Sequence, residues 1–495
     1  MAASALVLGE HYFARTKVKL IRTLGLALLV LLAWGTSAFA QSWQPLAHQP
    51  TFNASTSLLL TDGTVLVQQY SGRQIWRLTP DNTGSYVNGT WSQLASLPTN
   101  YAPLYYGSGV LPDGRVIFEG GEYNFGSQSE TNLGAIYDPV ANKWTAVTPP
   151  AGWNSIGDGA SIVLANGVYM QGDALSSRQA LLNATNLTWT TTGTGKADAN
   201  SEEGWILLPD RSVLTTDANN SANPLQAERY SQTTGKWTKA GNTVVPLADP
   251  GSHEVGPSVL RPDGTALFTG GTAHNAILTL ATHSWAAGPD FPKVGGQLDA
   301  ADGPASILPN GNVLSSVSPG IFNPPTHFYE FNGTSFIQEP ETPNSPSKTS
   351  YEGRMLALPT GQVLFTDGSA DIEVYTTVGN PDPTWAPAIV SVPQTLTRGT
   401  IVTISGTQFN GLSAGAAYGD DAAMASNYPL VRVTNHASGH VSYFKTHDHS
   451  TMGVATGSRR VSTKFDVPAG AETGASDLSV VANGIASAAV SVTIQ

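Results

Sequence analysis

The 495-residue chain contains no cysteine. Disulfides, thiolate metal centres and any cofactor built on a cysteine sulfur are thereby excluded. Charged residues make up only 12% of the chain, and the formal net charge is −12. So little charge leaves few residues to solvate exposed helices, and the negative balance excludes a general nucleic-acid binder. Beyond the first 40 residues there is no apolar run long enough to span a membrane. Coiled-coil heptads, low-complexity tracts, a glycine-rich phosphate loop and an H-E-x-x-H pair are also missing.

What is present begins with a targeting pattern. Arg15, Lys17, Lys19 and Arg22 precede the apolar stretch TLGLALLVLLAWG, and Ala38-Phe39-Ala40 precedes Gln41. A basic region, an apolar core and an A-x-A site in this order predict a signal peptide over residues 1–40. The rival, an uncleaved anchor, would need an apolar core of roughly 20 residues. The mature chain is expected to start near Gln41, to be secreted or periplasmic, and to have no membrane span.

The mature sequence repeats one hairpin. LLTDGTVLV, VLPDGRVIF, VLANGVYM, LLPDRSVL, LRPDGTALF, ILPNGNVL and ALPTGQVLF centre on Gly63, Gly114, Gly167, Arg211, Gly264, Gly311 and Gly361. Each is an apolar run, a Pro/Asp/Asn/Gly turn and a second apolar run, the pattern of two antiparallel strands. The turns recur about every 50 residues, the period of kelch-type propeller blades. Behind the hairpins come pairs seven residues apart: Tyr137/Trp144, Leu182/Trp189, Tyr230/Trp237, Leu278/Trp285 and Tyr329/Phe336. These predict the third and fourth strands of each blade, with the large rings packed between blades. Trp43 has no hairpin before it, so its strand is expected to complete the last blade, with Trp385 as a competing closure.

All 11 tryptophans lie at or before Trp385. Beyond it, TIVTISGTQF, YPLVRVTN, RRVSTKFDVP and ASAAVSVTIQ alternate with period two, which predicts an immunoglobulin-like β-sandwich. The fold expected is therefore all-β, with a seven-bladed kelch-type β-propeller over residues 41–385 and an immunoglobulin-like sandwich over 386–495.

With a leader, seven such repeats, and a sandwich carrying GDDAAMASNYPLVRVTN and THDHSTMGVATG, the chain resembles the galactose oxidase and glyoxal oxidase family. That resemblance implies one copper ion on the propeller axis. Its ligands would be a Tyr crosslinked to a Cys, a Tyr-His pair before the last hairpin, and a His from the C-terminal domain. Tyr105 stands where the crosslinked Tyr is expected, and Tyr351 matches the Tyr of the pair. Glu352 replaces the paired His, Ala54 occupies the place of the Cys, and either His447 or His449 matches the C-terminal His. The resemblance thus implies Tyr105, Tyr351, Glu352, His447 and His449 as metal ligands. The lost thioether makes a copper-radical oxidase an unfavourable expectation, and a carboxylate in place of an imidazole shifts preference toward Ca²⁺, Mg²⁺ or Mn²⁺.

The same offset in other repeats, eight to twelve residues before each turn, holds Asp158, Glu202, Glu203, His253, Glu254, Asp299, Asp302 and Glu352. If strands start near the axis, as the resemblance implies, these groups converge on one mouth. There they would bind a cation, hold protons, or stay apart in water. Tyr105, Asp158, Glu202, Glu254, Asp302, Tyr351 and Glu352 form the expected binding set. The leading expectation is a binding protein for a carbohydrate or surface polymer at this mouth. A metal-dependent oxidoreductase with a remodelled site and a protein-interaction scaffold are the alternatives. Paired carboxylates also suit glycoside cleavage, but the S-x-D-x-G-x-x-W turn of sialidase propellers is absent.

Overall fold

The computed structural model describes residues 42–417 and 427–495. The expected leader lies outside the described residues. Everything described is strand, turn or loop, apart from three single-turn 3₁₀ segments at Ser345–Ser347, Ser350–Glu352 and Pro383–Trp385. No described helix is long and apolar enough to cross a membrane.

Seven antiparallel sheets follow one another as blades, the first six each drawing four strands from their own stretch of chain: residues 54–93 (blade 1), 107–147 (2), 161–192 (3), 206–242 (4), 255–287 (5), 305–338 (6) and 354–376 (7). Blade 7 has only three strands of its own, and Ser42–Pro45 supplies the fourth by pairing with Glu373–Thr376, Trp43 opposite Tyr375. Trp385, the competing closure, instead packs on the turn at Gly311. The innermost hairpins are built by their turn chemistry. In blades 1 to 6 the Asp or Asn side chain accepts the backbone N–H two residues on, as Asp62 does from Thr64 at 3.0 Å and Asp263 from Thr265 at 3.0 Å. The residue between them is left-handed: glycine in five of these blades, and Arg211, at φ 73°, in blade 4.

The outer-strand rings tie each blade to its predecessor. Trp43 donates its indole N–H to Pro340 O at 2.7 Å, Trp91 to His48 O at 2.9 Å, Trp144 to Ala95 O at 2.8 Å, Trp189 to Thr148 O at 2.8 Å and Trp285 to Ala240 O at 3.0 Å. Trp237 reaches the Gln179 side chain of blade 3 at 3.3 Å. Blade 6 has Phe336 in this place, and its ring packs 4.4 Å from that of Phe291. Tyr137, Leu182, Tyr230 and Leu278 face their tryptophans directly across the strands. The expected Tyr329/Phe336 pair is corrected: Phe336 faces Phe331 and Tyr329 faces Gln338, because the outer strand of blade 6 pairs two residues out of the expected register.

Beyond blade 7 two sheets pack face to face over Leu396, Ile404, Phe409, Val431, Phe444, Phe465 and Val480. One holds Ala388–Ser391, Ile401–Thr407, Val461–Asp466 and Thr446–His447; the other is built on Leu430–Asn435, Gly474–Ala482 and Val490–Ile494. This sandwich does not stand apart. Its backbone caps the hairpin turns, with Thr446 N–H donating to Thr61 O at 3.0 Å, His449 N–H to Pro112 O at 3.3 Å and Met452 N–H to Ala165 O at 3.0 Å. The segment Ala414–Ala417 leaves the sandwich and pairs with Val255–Leu260, the innermost strand of blade 5.

Several acids are buried in this frame. Lys196 sits among Asp198, Glu203 at 2.7 Å, Glu228 at 3.0 Å and Asp217 at 3.8 Å, all with almost no solvent exposure. Burial raises Asp217 to about 7 against the pull of Lys196, with Asp198 adding to the rise. It likewise raises Asp299, Glu339 and Glu373 to about 7. Glu119 is fully buried with neither oxygen hydrogen-bonded, and burial pushes its carboxyl well up.

Two predictions follow from these turns and acids. Arg211→Gly should raise unfolding stability by about 0.5–1 kcal/mol, because a side chain in the left-handed region is strained while glycine's larger unfolded-state entropy offsets part of the gain; urea unfolding measures it. Carboxyls whose folded values exceed their unfolded ones stabilise fully below about pH 4 and lose that contribution as pH rises through 7. His449, lowered to about 4 by burial, acts in the opposite sense, losing its contribution as pH falls below about 6.5. The carboxyls outnumber it, so the melting temperature should fall steadily between about pH 5 and 8.

Candidate axial site

Five of the seven innermost strands, those of blades 2 to 6, are entered through a left-handed bend. Tyr105, Glu202, His253 and Asp302 have φ of 53°, 60°, 69° and 50°, and Gly157 has 62°. Left-handed non-glycine residues cost of the order of 1–3 kcal/mol each and persist where the surroundings impose them. Here they turn the chain just before residues 107, 206, 255 and 305, and Tyr105, Glu202 and Asp302 among them line one cavity.

The result is a cavity of about 510 Å³. Tyr105, Asp158, Glu202, Glu254, Asp302 and Tyr351 all line it, so six of the seven expected binding residues share one space. Phe322, Tyr351, Tyr105 and Tyr123 form a row of rings with successive centroid separations of 5.0, 6.4 and 5.9 Å. In the same cavity, Glu202, Glu254 and Asp302 each bring a carboxylate oxygen within 4.8 Å of the others. That spacing suits a bridging oxygen-coordinated cation. A second trio, Asp198, Glu203 and Asp217, has the same spacing, but Lys196 already lies among its carboxylates.

The electrostatics follow from crowding. Burial pushes the Asp158 carboxyl well up, and Glu202, Glu130, Glu122 and Asp302 push it further. Glu130 is raised by burial first, with Gln128 pulling the other way and Glu202 adding to the rise. Burial, then Glu352 and Tyr70, raises the Tyr351 phenol. Arg354 holds its guanidinium carbon 5.3 Å from the Tyr105 ring and donates to Tyr351 O at 2.8 Å and Gly353 O at 2.7 Å.

Three expected metal ligands lie elsewhere. Glu352 does not reach the cavity: it accepts the Thr349 backbone N–H at 3.0 Å and pairs with Lys348 at 2.9 Å, a capping box around the Ser350–Glu352 turn. The turn directs its side chain back along its own backbone. His447 pairs with Asp466 at 3.2 Å. His449 donates or accepts at Thr463 Oγ1, 2.8 Å away, and stacks on Tyr428. Both belong to the sandwich face that caps the hairpin turns. The length of an innermost strand separates that face from the mouth. Of the other acids at the same offset, Glu203 belongs to the Lys196 cluster and Asp299 is buried under the Ala301 backbone N–H at 3.2 Å. His253 turns its ring to Ala218 O at 3.3 Å.

Sequence reasoning missed Tyr70, Glu122, Tyr123, Phe322 and Arg354. Glu122 and Tyr123 lie just after Gly120-Gly121, on an extra hairpin in which Tyr123–Asn124 pairs with Ser127–Gln128. EYNFGSQ carries a turn glycine between polar and aromatic residues, the one signal that could have marked it. Phe322 sits in an irregular loop with no pattern of its own.

Glu352→Ala should lower stability by about 0.5–1 kcal/mol through the lost cap. Calorimetric titrations with Ca²⁺, Mg²⁺ and Mn²⁺ should not differ between this variant and the unmodified chain.

No protein-family profile matches the chain. It is similar to the Kelch-like protein terF of Aspergillus terreus, with 27% identity over 130 residues; the match spans 25% of this chain and 26% of that protein. Among solved structures it is similar to a fungal alcohol oxidase of the AA5 family in complex with copper, at a TM-score of 0.50 and 16% identity, covering 92% of this chain and all of the other. A looser likeness, at a TM-score of 0.46 and 11% identity, is to virginiamycin B lyase from Staphylococcus aureus, covering 68% of this chain and 99% of that one. The match to the Kelch-like protein, the likeness to the AA5 oxidase and the seven sheets give the chain the fold of a kelch-type β-propeller.

Proposed function

We propose that this is a secreted or periplasmic binding protein, galactose oxidase-like in architecture, that takes up a carbohydrate or surface polymer at its axial mouth. One observation carries the reading: the row of four rings and the Glu202, Glu254 and Asp302 carboxylates line a single cavity. Sugar rings present apolar C–H faces that stack on aromatic faces, and hydroxyls that donate to carboxylates. A concave site combining apolar walls with a few placed polar groups is the usual form of a small-molecule site. The cavity is large enough for one or two sugar units, with the rest of a chain running out of its open side.

An oxidoreductase is the second reading, favoured by Tyr105 and Tyr351, whose rings lie 6.4 Å apart in the cavity. The donors around them do not fit copper. No sulfur is available for a thioether, Glu352 caps its own turn, and His447 and His449 face the hairpin turns. The remaining donors are oxygens, which favour a hard divalent ion such as Ca²⁺, Mg²⁺ or Mn²⁺ over copper.

A glycan array probed with the full chain should give saturable binding, and Tyr351→Ala should weaken it by about three- to tenfold, the value of one lost aromatic contact. After copper loading and oxidation, the protein should show no radical absorption and release no hydrogen peroxide from primary alcohols or aldehydes. Sustained peroxide release would replace the binding reading with the oxidase one.

A further inference from the structure

Lys196 is an amine enclosed by carboxyls and shut off from water. Its side chain has no solvent exposure, and neither has that of Glu203, whose Oε1 lies 2.7 Å from Nζ. Asp198 touches the same nitrogen, and Glu228 Oε2 lies 3.0 Å from it. Trp205 and Trp237, both buried, lie against the pair, with Nζ 5.7 Å from the Trp237 ring centroid. An ion pair held away from water keeps its attraction but loses the hydration of both charges. Such a pair has a second way to settle, which removes both charges: condensation to an amide.

The Glu203 carboxyl is arranged for attack at its carbon. Its Oε2 accepts from the Trp205 indole N–H at 3.2 Å and from Thr215 Oγ1 at 3.5 Å. Donors fixed on one oxygen stabilise the charge of a tetrahedral intermediate. Oε1, facing the amine, is then the oxygen that leaves. Burial pushes the Glu203 carboxyl well up, against the pull of Lys196. Burial alone would lower the Lys196 amine, and Glu203, Asp198, Asp217 and Glu228 more than reverse it. The amine therefore gives up a proton within its own cluster rather than to solvent. Asp198, in contact with Nζ, is placed to carry another.

We infer that Lys196 and Glu203 join as an intramolecular amide, a modification the folded chain makes by itself with no further reactant. One proton passes from the ammonium to Glu203 Oε1. The neutral amine then adds to Cδ, forming the Nζ–Cδ bond, while Oε2 takes the negative charge beside Trp205 and Thr215. Asp198 takes a second proton from Nζ and returns it to Oε1. The Cδ–Oε1 bond breaks and one water leaves, so ammonium and carboxylate become amide and water with no change of net charge. The fixed approach of the two groups supplies the effective concentration, and exclusion of water protects the product. The bond closes the stretch from Lys196 to Glu203 into a ring that contains Glu202, a left-handed residue lining the axial cavity. One wall residue of the mouth is thereby held by a covalent link as well as by packing.

Tryptic peptide mass spectrometry on the purified full chain is the test. Arg178, Lys196 and Arg211 are the successive cleavage points here. A lysine whose amine is in an amide is not cut. Residues 179–211 should therefore appear as one peptide, lighter than its sequence by one water, with fragment ions joining Lys196 to Glu203. In Lys196→Arg, which keeps the positive charge but not the nucleophile, the same stretch should be cut in two at full mass. Asp198→Asn, which removes the proton carrier, should lower the joined fraction. Melting temperatures check that both variants fold; if either does not, the unmodified chain decides alone. Separate peptides 179–196 and 197–211 at full mass from the folded, unmodified chain overturn the inference. A peptide lighter by one water whose fragments join Lys196 to Asp198 overturns the choice of Glu203.

Discussion

The ring depends on one contact made seven times: a large outer-strand ring of each blade laid against the end of the preceding blade. In six blades the ring is tryptophan and its N–H also finds an acceptor there, five times a backbone carbonyl and once Gln179. A hydrogen bond of this kind contributes only about 1 kcal/mol net, but it fixes which part of the indole meets the neighbour, and the apolar area buried beneath it supplies the larger share. The set closes because Trp43 belongs to a strand from the start of the described chain that pairs into blade 7. Without that strand blade 7 would have an open edge, and an open edge would leave a row of unpaired backbone groups.

Closure has a direct consequence for the mouth. Seven blades around one axis bring seven strand starts to one place, so residues some 50 positions apart in sequence become neighbours. Acids at those starts crowd one another whatever their purpose. That crowding, together with burial, lifts the Asp158 carboxyl, and the left-handed bends at Tyr105, Glu202 and Asp302 hold the side chains there despite their strain. A protein with no use for such a mouth would place small or neutral residues at these bends. The combination of strain, like charge and aromatic rings in one cavity is the physical case for a ligand there.

The sandwich works at the opposite end. By donating backbone N–H groups to Thr61, Pro112 and Ala165 it caps the hairpin turns and blocks that face, and by sending Ala414–Ala417 onto blade 5 it ties itself into the propeller. Its histidines serve this contact, His449 buried against Tyr428 and Thr463 and held neutral by that burial. A histidine loop in a C-terminal domain thus has a structural use here, as part of the surface that caps the propeller.

The seven hairpins, their spacing and the alternation beyond Trp385 were legible in the sequence because each is a local pattern: turn chemistry, period two, and an aromatic partner seven residues on. The offset of Tyr105, Asp158, Glu202, Glu254, Asp302 and Tyr351 from their turns was legible for the same reason, since strand length sets how far a residue lies from the axis. Glu352 and the two histidines shared the expected spacing yet point elsewhere. Sequence offset specifies distance along a strand but not the direction of a side chain, and one capping box turned Glu352 away while the docking of the sandwich decided which face received the histidines. Tyr123 and Phe322 reached the mouth through an inserted hairpin and an irregular loop, neither of which has a period. What the sequence by itself determined was therefore the repeating strand architecture and the set of residues at its axial ends. Only the closed tertiary structure decided which of them meet, because that depends on bends, caps and packing between segments hundreds of residues apart.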